Sequence, residues 1–406
     1  MRALDPDAQR SISRVGHAEI LIGIPSYNSA KTIGHVITQS AKGLSEYFSD
    51  GQSLILISDG GSADGTVEIA EALHLPRGVQ LITCRYQGLP GKGTAVRAIF
   101  EAAIQLGAAG LAMIDSDLQS ITPSWIRLLI HPTLNQAGLV TPRYDRHKYD
   151  GTITNQLCYP LTRALYGRRI RQPIGGDFGL SARLAKTLIE SPLWETPFVP
   201  RFGIDIFITS SALASGFAVE EADLGAKIHE SKDPALQLAS MFREVAGSAL
   251  TCMQEYEDFW RKIKGSSPVP LHRNDVTRIE PPSVTVSLHR LIEESRNVYS
   301  RSDHFKSSLT PDLRRELDHC MSALPDGPEL SVDIWARIVY EVSAEFKTSD
   351  ETRRDSLLEG LRSVWTARVA TFVKQTTSMT NEEAEREVED DATHFEETKS
   401  ELMRIY

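Results

Sequence analysis

No stretch of this chain approaches the roughly 20 consecutive apolar residues that a membrane-spanning helix needs. The first residues, Met1-Arg2-Ala3-Leu4-Asp5-Pro6-Asp7, lack the apolar core of a secretory signal. A cytoplasmic protein with no membrane span is expected. Cysteine is scarce: Cys84, Cys158, Cys252 and Cys320 lie far apart, with no C-x-x-C and no Cys/His metal spacing. That argues against a zinc module or a disulfide framework and predicts buried thiols. Positive charge is in deficit, with 44 Lys and Arg against 54 Asp and Glu, which disfavours a nucleic-acid partner because such proteins usually present a basic face. Also missing are the G-x-x-x-x-G-K-[ST] phosphate loop and a G-x-G-x-x-G after a strand, so a Walker nucleotidase and a dinucleotide-binding enzyme are disfavoured. Asp177-Phe178-Gly179 spells a kinase motif, but no H-R-D or V-A-I-K accompanies it.

What is present is an alternation. Ile20 to Pro25, Ser53 to Ser58, Val79 to Cys84 and Gly110 to Ile114 are short apolar runs. Between them apolar residues recur at helical spacing, as in Ile33, Val36, Ile37, Leu44 and Phe48. Buried strands alternating with amphipathic helices predict an α/β fold with a parallel sheet. With 406 residues and 41% apolar composition, the chain suffices for one large or two ordinary domains. The expected organisation is an N-terminal arm over 1–17, an α/β catalytic domain over 18–264 (halves 18–120 and 121–264) and a helical domain over 265–406. A long helix is expected near 234–262. Gly265 to Pro270 reads as a linker, and the acidic stretch Glu382 to Glu401 as a solvated helix. The apolar stripe through Leu361, Trp365 and Phe372 must be buried, by packing on the catalytic domain, by a second copy in a homodimer, or by both.

Ligands of open parallel sheets gather at the carboxyl ends of strands, where Asp59, Arg85 and Asp115 all fall. Asp115-Ser116-Asp117 puts two carboxylates in alternate positions, a clamp suited to Mg²⁺ or Mn²⁺ with a phosphate-bearing ligand. Ser58-Asp59-Gly60-Gly61-Ser62-Ala63-Asp64-Gly65-Thr66 allows a tight turn close to a ligand. Asp59 suits a base N–H or ribose hydroxyl, and Asp64 suits the cap of the next helix. Gly91-Lys92-Gly93 opens a helix near Thr94, either an anion site or a plain turn with an exposed lysine. Asp177 and Asp205 could accept from ligand hydroxyls, or Asp205 could begin a helix. Arg168, Arg169 and Arg171 are either a phosphate site or a solvated cluster.

Taken in order, Pro25-Ser26-Tyr27-Asn28, the Asp59 turn, Gly91-Lys92-Gly93 and Asp115-Ser116-Asp117 resemble the nucleotide-sugar half of GT-A glycosyltransferases. The family usually has an aspartate pair where this chain has Asp59-Gly60. Further on, Arg146 to Thr154, Gln172-Pro173-Ile174-Gly175-Gly176-Asp177, Phe202-Gly203-Ile204-Asp205 and Gly225-Ala226-Lys227-Ile228-His229 look like the retaining branch that includes mannosylglycerate synthase and glucosyl-3-phosphoglycerate synthase. The resemblance implies a Rossmann-like GT-A sheet with a helical C-terminal extension. It implies donor contacts from Pro25, Tyr27, Asp59, Lys92, Ser116, Gly175 and Gly176, and metal ligation by Asp115, Asp117 and His229. It also implies acceptor binding by Arg146 and Thr154, and catalytic roles for Asp205, Asp177 and Lys92. The implied partners are UDP-glucose, GDP-glucose or GDP-mannose and a glycerate-type acceptor, in compatible-solute synthesis. An inverting polysaccharide enzyme would carry a Q-x-x-R-W-type motif and a nucleotidyltransferase a G-x-G-T/S-x-R-type loop, and neither is evident. A non-enzymatic sugar-nucleotide sensor is the remaining alternative.

Overall fold

The computed structural model describes residues 2–229, 238–274, 279–322 and 330–406. Its strands are β1 (Ile20–Ser26), β2 (Ser53–Asp59), β3 (Val79–Arg85), β4 (Gly110–Met113), β5 (Leu139–Asp145), β6 (Arg168–Arg169), β7 (Phe178–Ser181), β8 (Val219–Ala226), β9 (Ser267–Pro268) and β10 (Leu271–His272). The first helices are α1 (Pro6–Val15), α2 (Ile33–Tyr47), α3 (Thr66–Glu71), α4 (Lys92–Leu106) and α5 (Pro123–Asn135), followed by α6 (Tyr159–Tyr166), α7 (Ala182–Ile189) and α8 (Ile204–Ala214). The rest are α9 (Ala239–Glu255), α10 (Glu257–Trp260), α11 (Leu288–Tyr299), α12 (Asp303–Lys306), α13 (Pro311–Ser322), α14 (Val332–Thr348), α15 (Glu351–Thr376), α16 (Asn381–Glu397) and α17 (Lys399–Ile405).

The chain forms two compact units that interleave. One holds residues 1–145, 171–230 and 269–281; the other holds 146–170, 231–268 and 282–406. This is not the single border near 265 that the sequence suggested. The 265–270 segment is not a free linker either, since β9 pairs with β6 and β10 with β8.

The first unit is built on an eight-stranded sheet in the order β10-β8-β5-β7-β4-β1-β2-β3. All its pairings are parallel except those of β7, which runs antiparallel to both β4 and β5. Strands β1, β2 and β4 are buried along their whole length, as expected when helices cover both faces of a parallel sheet. Their Ile22, Ile24, Ile55, Ile57 and Ala112 form one core with Val36 and Ile37 of α2 and Trp125, Ile126 and Leu129 of α5. The N-terminal residues are not a loose arm: Ala3, Leu4, Ala8 and Ile12 are buried, and the Ala3 and Leu4 N–H groups donate to the Glu101 carboxylate.

The second unit is helical. Leu361, Trp365 and Phe372 of α15 are buried within the chain, with Trp365 stacked on Phe242 at 4.7 Å. The stripe that suggested a second copy is therefore already covered. The acidic helix α16 is only half solvated, because Ala384, Val388 and Ala392 pack with Tyr159 and Phe372. The helix expected near 234–262 is seen as α9 and α10; residues 234–237 lie outside the described residues. All four cysteines are buried thiols. Among the described residues no helix is long and apolar enough to cross a membrane.

Candidate active site

The loops that follow β1 and β2 are laced together. Gly60 N–H donates to Ser26 O (2.8 Å), Asn28 N–H to Ser62 Oγ (2.8 Å), Ser29 N–H to Thr66 Oγ1 (2.8 Å) and Ala30 N–H to Asp64 Oδ2 (3.0 Å). Asn28 takes φ +52°, the one non-glycine residue in the left-handed region among those described, and asparagine tolerates that better than most. Pro25 is buried inside β1, opposite Ser58. The Tyr27 ring points out, 66% exposed. Asp64, the expected cap, accepts the Thr66 N–H at 3.2 Å from one residue before Gly65, the glycine that precedes α3.

Asp59 departs from its expected role. Its Oδ1 accepts the N–H groups of Gly61 and Ser62, both at 2.7 Å, and its Oδ2 accepts the Ser62 hydroxyl at 2.6 Å. The carboxylate is turned into its own loop, as aspartates at tight turns often are. The open groups at this edge are Tyr27 and Arg85, whose guanidinium lies over Gly61.

The amino end of α4 is also not the open anion site that its glycines suggested. Gly93 and Thr94 N–H donate to Arg201 O (3.1 Å) and Pro200 O (2.9 Å). A Cβ on Gly93 would stand 1.9 Å from Val199 O. Glycine there admits the backbone of residues 199–201 rather than a ligand.

Lys92, the first residue of α4, instead opens a chain of alternating charges. Its Nζ lies 2.8 Å from Asp115 Oδ1 and 3.2 Å from Asp205 Oδ2. On the other side of Asp115, Lys227 Nζ lies 3.1 Å from Oδ2, 3.0 Å from Asp177 Oδ2 and 2.8 Å from Gly175 O. Asp177 closes the chain: Oδ1 accepts the Asp115 N–H at 2.7 Å, and Oδ2 accepts the Tyr144 hydroxyl in a short bond. Burial disfavours the charge on Lys92, but Asp115 and Asp205 outweigh it and raise its pKa above the lysine range. Burial likewise opposes the charge on Asp115, but the two lysines hold its carboxyl far below the usual range. Burial prevails at Asp205 and Asp177, and both are pushed up.

This geometry reassigns two residues. Asp177 is wholly buried with both oxygens taken, so it orients Asp115 and Lys227 rather than meeting a sugar. Ser116 is buried too, its hydroxyl 2.7 Å from Ser29 Oγ and its carbonyl accepting from Thr32 Oγ1 at 2.7 Å. Gly176 has a clear reason to be glycine: at φ +90° its Cβ would fall 2.1 Å from Asp115 Oδ2. Asp205, in the first turn of α8, retains an oxygen for a ligand, since its Oδ1 is buried without a hydrogen bond. Lys227 was missed by sequence reasoning. Its signal was a lone lysine at the end of a buried strand, beside the residues quoted for His229.

The carboxylates and imidazole expected to hold a metal lie on adjoining segments. Ile228 O accepts the Gln119 N–H (2.9 Å) and Ile228 N–H donates to Ser120 Oγ (3.0 Å), which sets His229 beside the turn that follows Asp117. Two carboxylates and an imidazole are chemically apt for a hard divalent cation. They are not preassembled: among the described residues no group of three or more His, Cys, Asp or Glu is placed to hold a metal. The physical reason is that both Asp115 oxygens face lysines. Asp117 is half-buried and has no ion pair among the described residues.

Arg146 and Thr154 belong to the helical unit. They meet around Gly151, where a Cβ would be 3.3 Å from Arg146 Nη1 and 3.8 Å from Thr154 Oγ1. Arg146 Nη1 lies 3.4 Å from Asp150 Oδ2, and Thr154 opens a buried π-helical turn ahead of α6, a feature frequent at functional sites. Lys148 has a structural task, donating to Thr376 O and Met379 O (each 2.6 Å) past the end of α15.

Comparison with known proteins adds to this geometry. Residues 21–184 match the model of Glycosyl transferase family 2. A 98-residue stretch is 39% identical to glycosyltransferase AglJ of Haloferax volcanii, covering 24% of this chain and 27% of AglJ. The chain thus matches only about a quarter of that relative's length. Among solved structures it is similar to glucosyl-3-phosphoglycerate synthase from Mycobacterium tuberculosis in complex with phosphoglyceric acid, at 24% identity and TM-score 0.45, covering 61% of this chain and 83% of that one. The same synthase with Mg²⁺ and uridine diphosphate gives 24% identity and TM-score 0.45, over 62% and 84% of the two chains. An α/β fold with a large, mostly parallel sheet and a helical C-terminal region, expected from the sequence, is the fold observed.

Proposed function

We propose that this chain is a retaining, metal-dependent glycosyltransferase that moves glucose or mannose from a nucleoside diphosphate sugar to the 2-hydroxyl of D-glycerate or 3-phosphoglycerate. The observation that carries the reading is the end of β4, where Asp115 and Asp117 lead into a turn hydrogen-bonded to Ile228, the neighbour of His229, within a chain whose residues 21–184 match a glycosyltransferase family model. A divalent cation, Mg²⁺ or Mn²⁺, held by Asp117, Asp115 and His229 would act as a Lewis acid toward the departing diphosphate.

The chain's own groups do the rest. Tyr27 and the Gly60-Gly61 turn receive the nucleoside. Lys92 supplies a preorganised positive charge for the leaving group. Arg146 takes the acceptor carboxylate through its guanidinium fork, with Thr154 beside it. Asp205 offers Oδ1 to a sugar hydroxyl and stabilises the oxocarbenium-like state electrostatically. No covalent nucleophile is assigned. The acceptor attacks from the leaving-group face, and its proton passes to the departing phosphate oxygen.

One observation favours a second reading. A buried carboxyl with a raised pKa and one unbonded oxygen, as at Asp205, is also what a general base for an inverting transfer requires. The test is a panel of UDP-glucose, GDP-glucose and GDP-mannose against D-glycerate and 3-phosphoglycerate with Mg²⁺ or Mn²⁺. Released nucleoside diphosphate measures turnover, and proton NMR of the anomeric signal gives the stereochemistry. An α-linked glycosylglycerate is expected. A β-linked product would establish inversion, a sugar adduct trapped on Asp205 would sink front-face attack, and absence of any glycoside across the panel would sink the acceptor class.

A further inference from the structure

We propose that Lys227 is a resident counter-cation of the donor site and that a divalent metal gains Asp115 only by displacing its ammonium. The inference rests on the assignment of Asp115, Asp117 and His229 as metal ligands made above. Each Asp115 oxygen already meets an ammonium, Lys92 at 2.8 Å and Lys227 at 3.1 Å. A doubly charged ion on the same carboxylate would be repelled by both at such range. On release Lys92 would keep one partner, Asp205 Oδ2 at 3.2 Å, whereas Lys227 has two. It keeps Asp177 Oδ2 (3.0 Å) and Gly175 O (2.8 Å) when it lets go of Asp115, so its charge stays paired within the buried site. Lysine suits this task, being a compact point charge on a flexible stem, whereas a guanidinium would bridge Asp115 and Asp177 with a rigid fork.

The position also couples the exchange to the remaining ligand. Lys227 is followed by Ile228, bonded to Gln119 and Ser120, and then by His229. Release of Lys227 from Asp115 therefore acts on the strand end that carries the imidazole. On this account the free enzyme binds metal weakly, its charge already balanced, and a nucleoside diphosphate tightens metal binding by adding negative charge.

Mn²⁺ binding to the full chain without nucleotide, followed by the EPR signal of the free ion, tests the displacement. Lys227→Met is expected to bind Mn²⁺ roughly tenfold more tightly than the wild type, because a repelling charge is gone. Unchanged or weaker binding in a variant shown folded by circular dichroism would overturn the proposal. Should that variant not fold, Lys227→Arg decides: Mn²⁺ binding several-fold weaker than wild type supports displacement, and equal or tighter binding overturns it. Asp117→Asn separates the two levels. If it binds Mn²⁺ as the wild type does, the metal assignment itself fails; if it loses Mn²⁺, the Lys227 variants report on displacement alone.

Discussion

The two units bury charge in different ways. In the helical unit the buried cations, Lys399 apart, are arginines, each clasping its partners in a fork. Arg163 meets Glu389 and Glu396 at 2.6 Å each, Arg362 meets Glu359 at 2.7 Å and Glu294 at 2.9 Å, and Arg368 joins Asp391 and Leu330 O. In the sheet unit the buried cations are Lys92 and Lys227, point charges strung between Asp205, Asp115 and Asp177. A bidentate fork holds one geometry, whereas an ammonium can exchange partners. The difference separates charge that fixes helices from charge that is available to a ligand.

The largest expected effect tests the ligand side. Asp117→Asn should lower kcat/KM by about 10³-fold, the scale of losing a principal electrostatic contact in a transition state, while the melting temperature stays at the wild-type value because Asp117 pairs with nothing among the described residues. Full activity in this variant would break the comparison. The structural side predicts the reverse for Arg368→Met. Stranding the buried Asp391 carboxyl should cost about 3–5 kcal/mol of stability, yet kcat/KM measured well below the melting transition should be unchanged. The smallest effect concerns Lys399, whose ammonium donates to Trp260 O (2.7 Å) and Ile263 O (2.8 Å) and whose pKa burial pulls down to about 8. An unfolded lysine titrates near ~10.4. Between these values the unfolded chain binds more protons, so stability should rise with pH across that window. Lys399→Met should flatten the rise in thermal melts, and an undiminished slope would refute it.

Strands β1, β2 and β4 were legible because strands buried on both faces read as unbroken apolar runs. The four-residue β7 was not: Phe178 to Ser181 is too short to show a period, and its reversed direction is a property of pairing. Asp115 and Asp117 were legible as a pair at a strand end. The closure of the α4 amino end by residues 199–201 was not, since a contact a hundred residues away leaves no local trace. The inward turn of Asp59 could have been read from the Gly-Gly-Ser that follows it. The buried face of α16 was visible in Ala384, Val388 and Ala392, but the acidic residues between them drew the reading toward solvent.

The reversed direction of β7 has a consequence for how the site is assembled. Parallel neighbours end where the ligand edge lies; β7 alone begins there, so Gly176 and Asp177 enter the sheet directly against Asp115. The chain leaves the sheet unit after Asp145 and returns at Arg171. The stretch between those points is largely buried in the helical unit, where Arg163 and Tyr159 bond to Glu389 and Glu396, so it is the returning strand that sets Asp177 against Asp115. Arg146 and Thr154, proposed above for the acceptor, lie in that interval, whereas Lys92, Asp115 and Asp117, proposed for the donor, lie in the sheet unit. On that proposal, the chain assigns its two substrates to residues of different units.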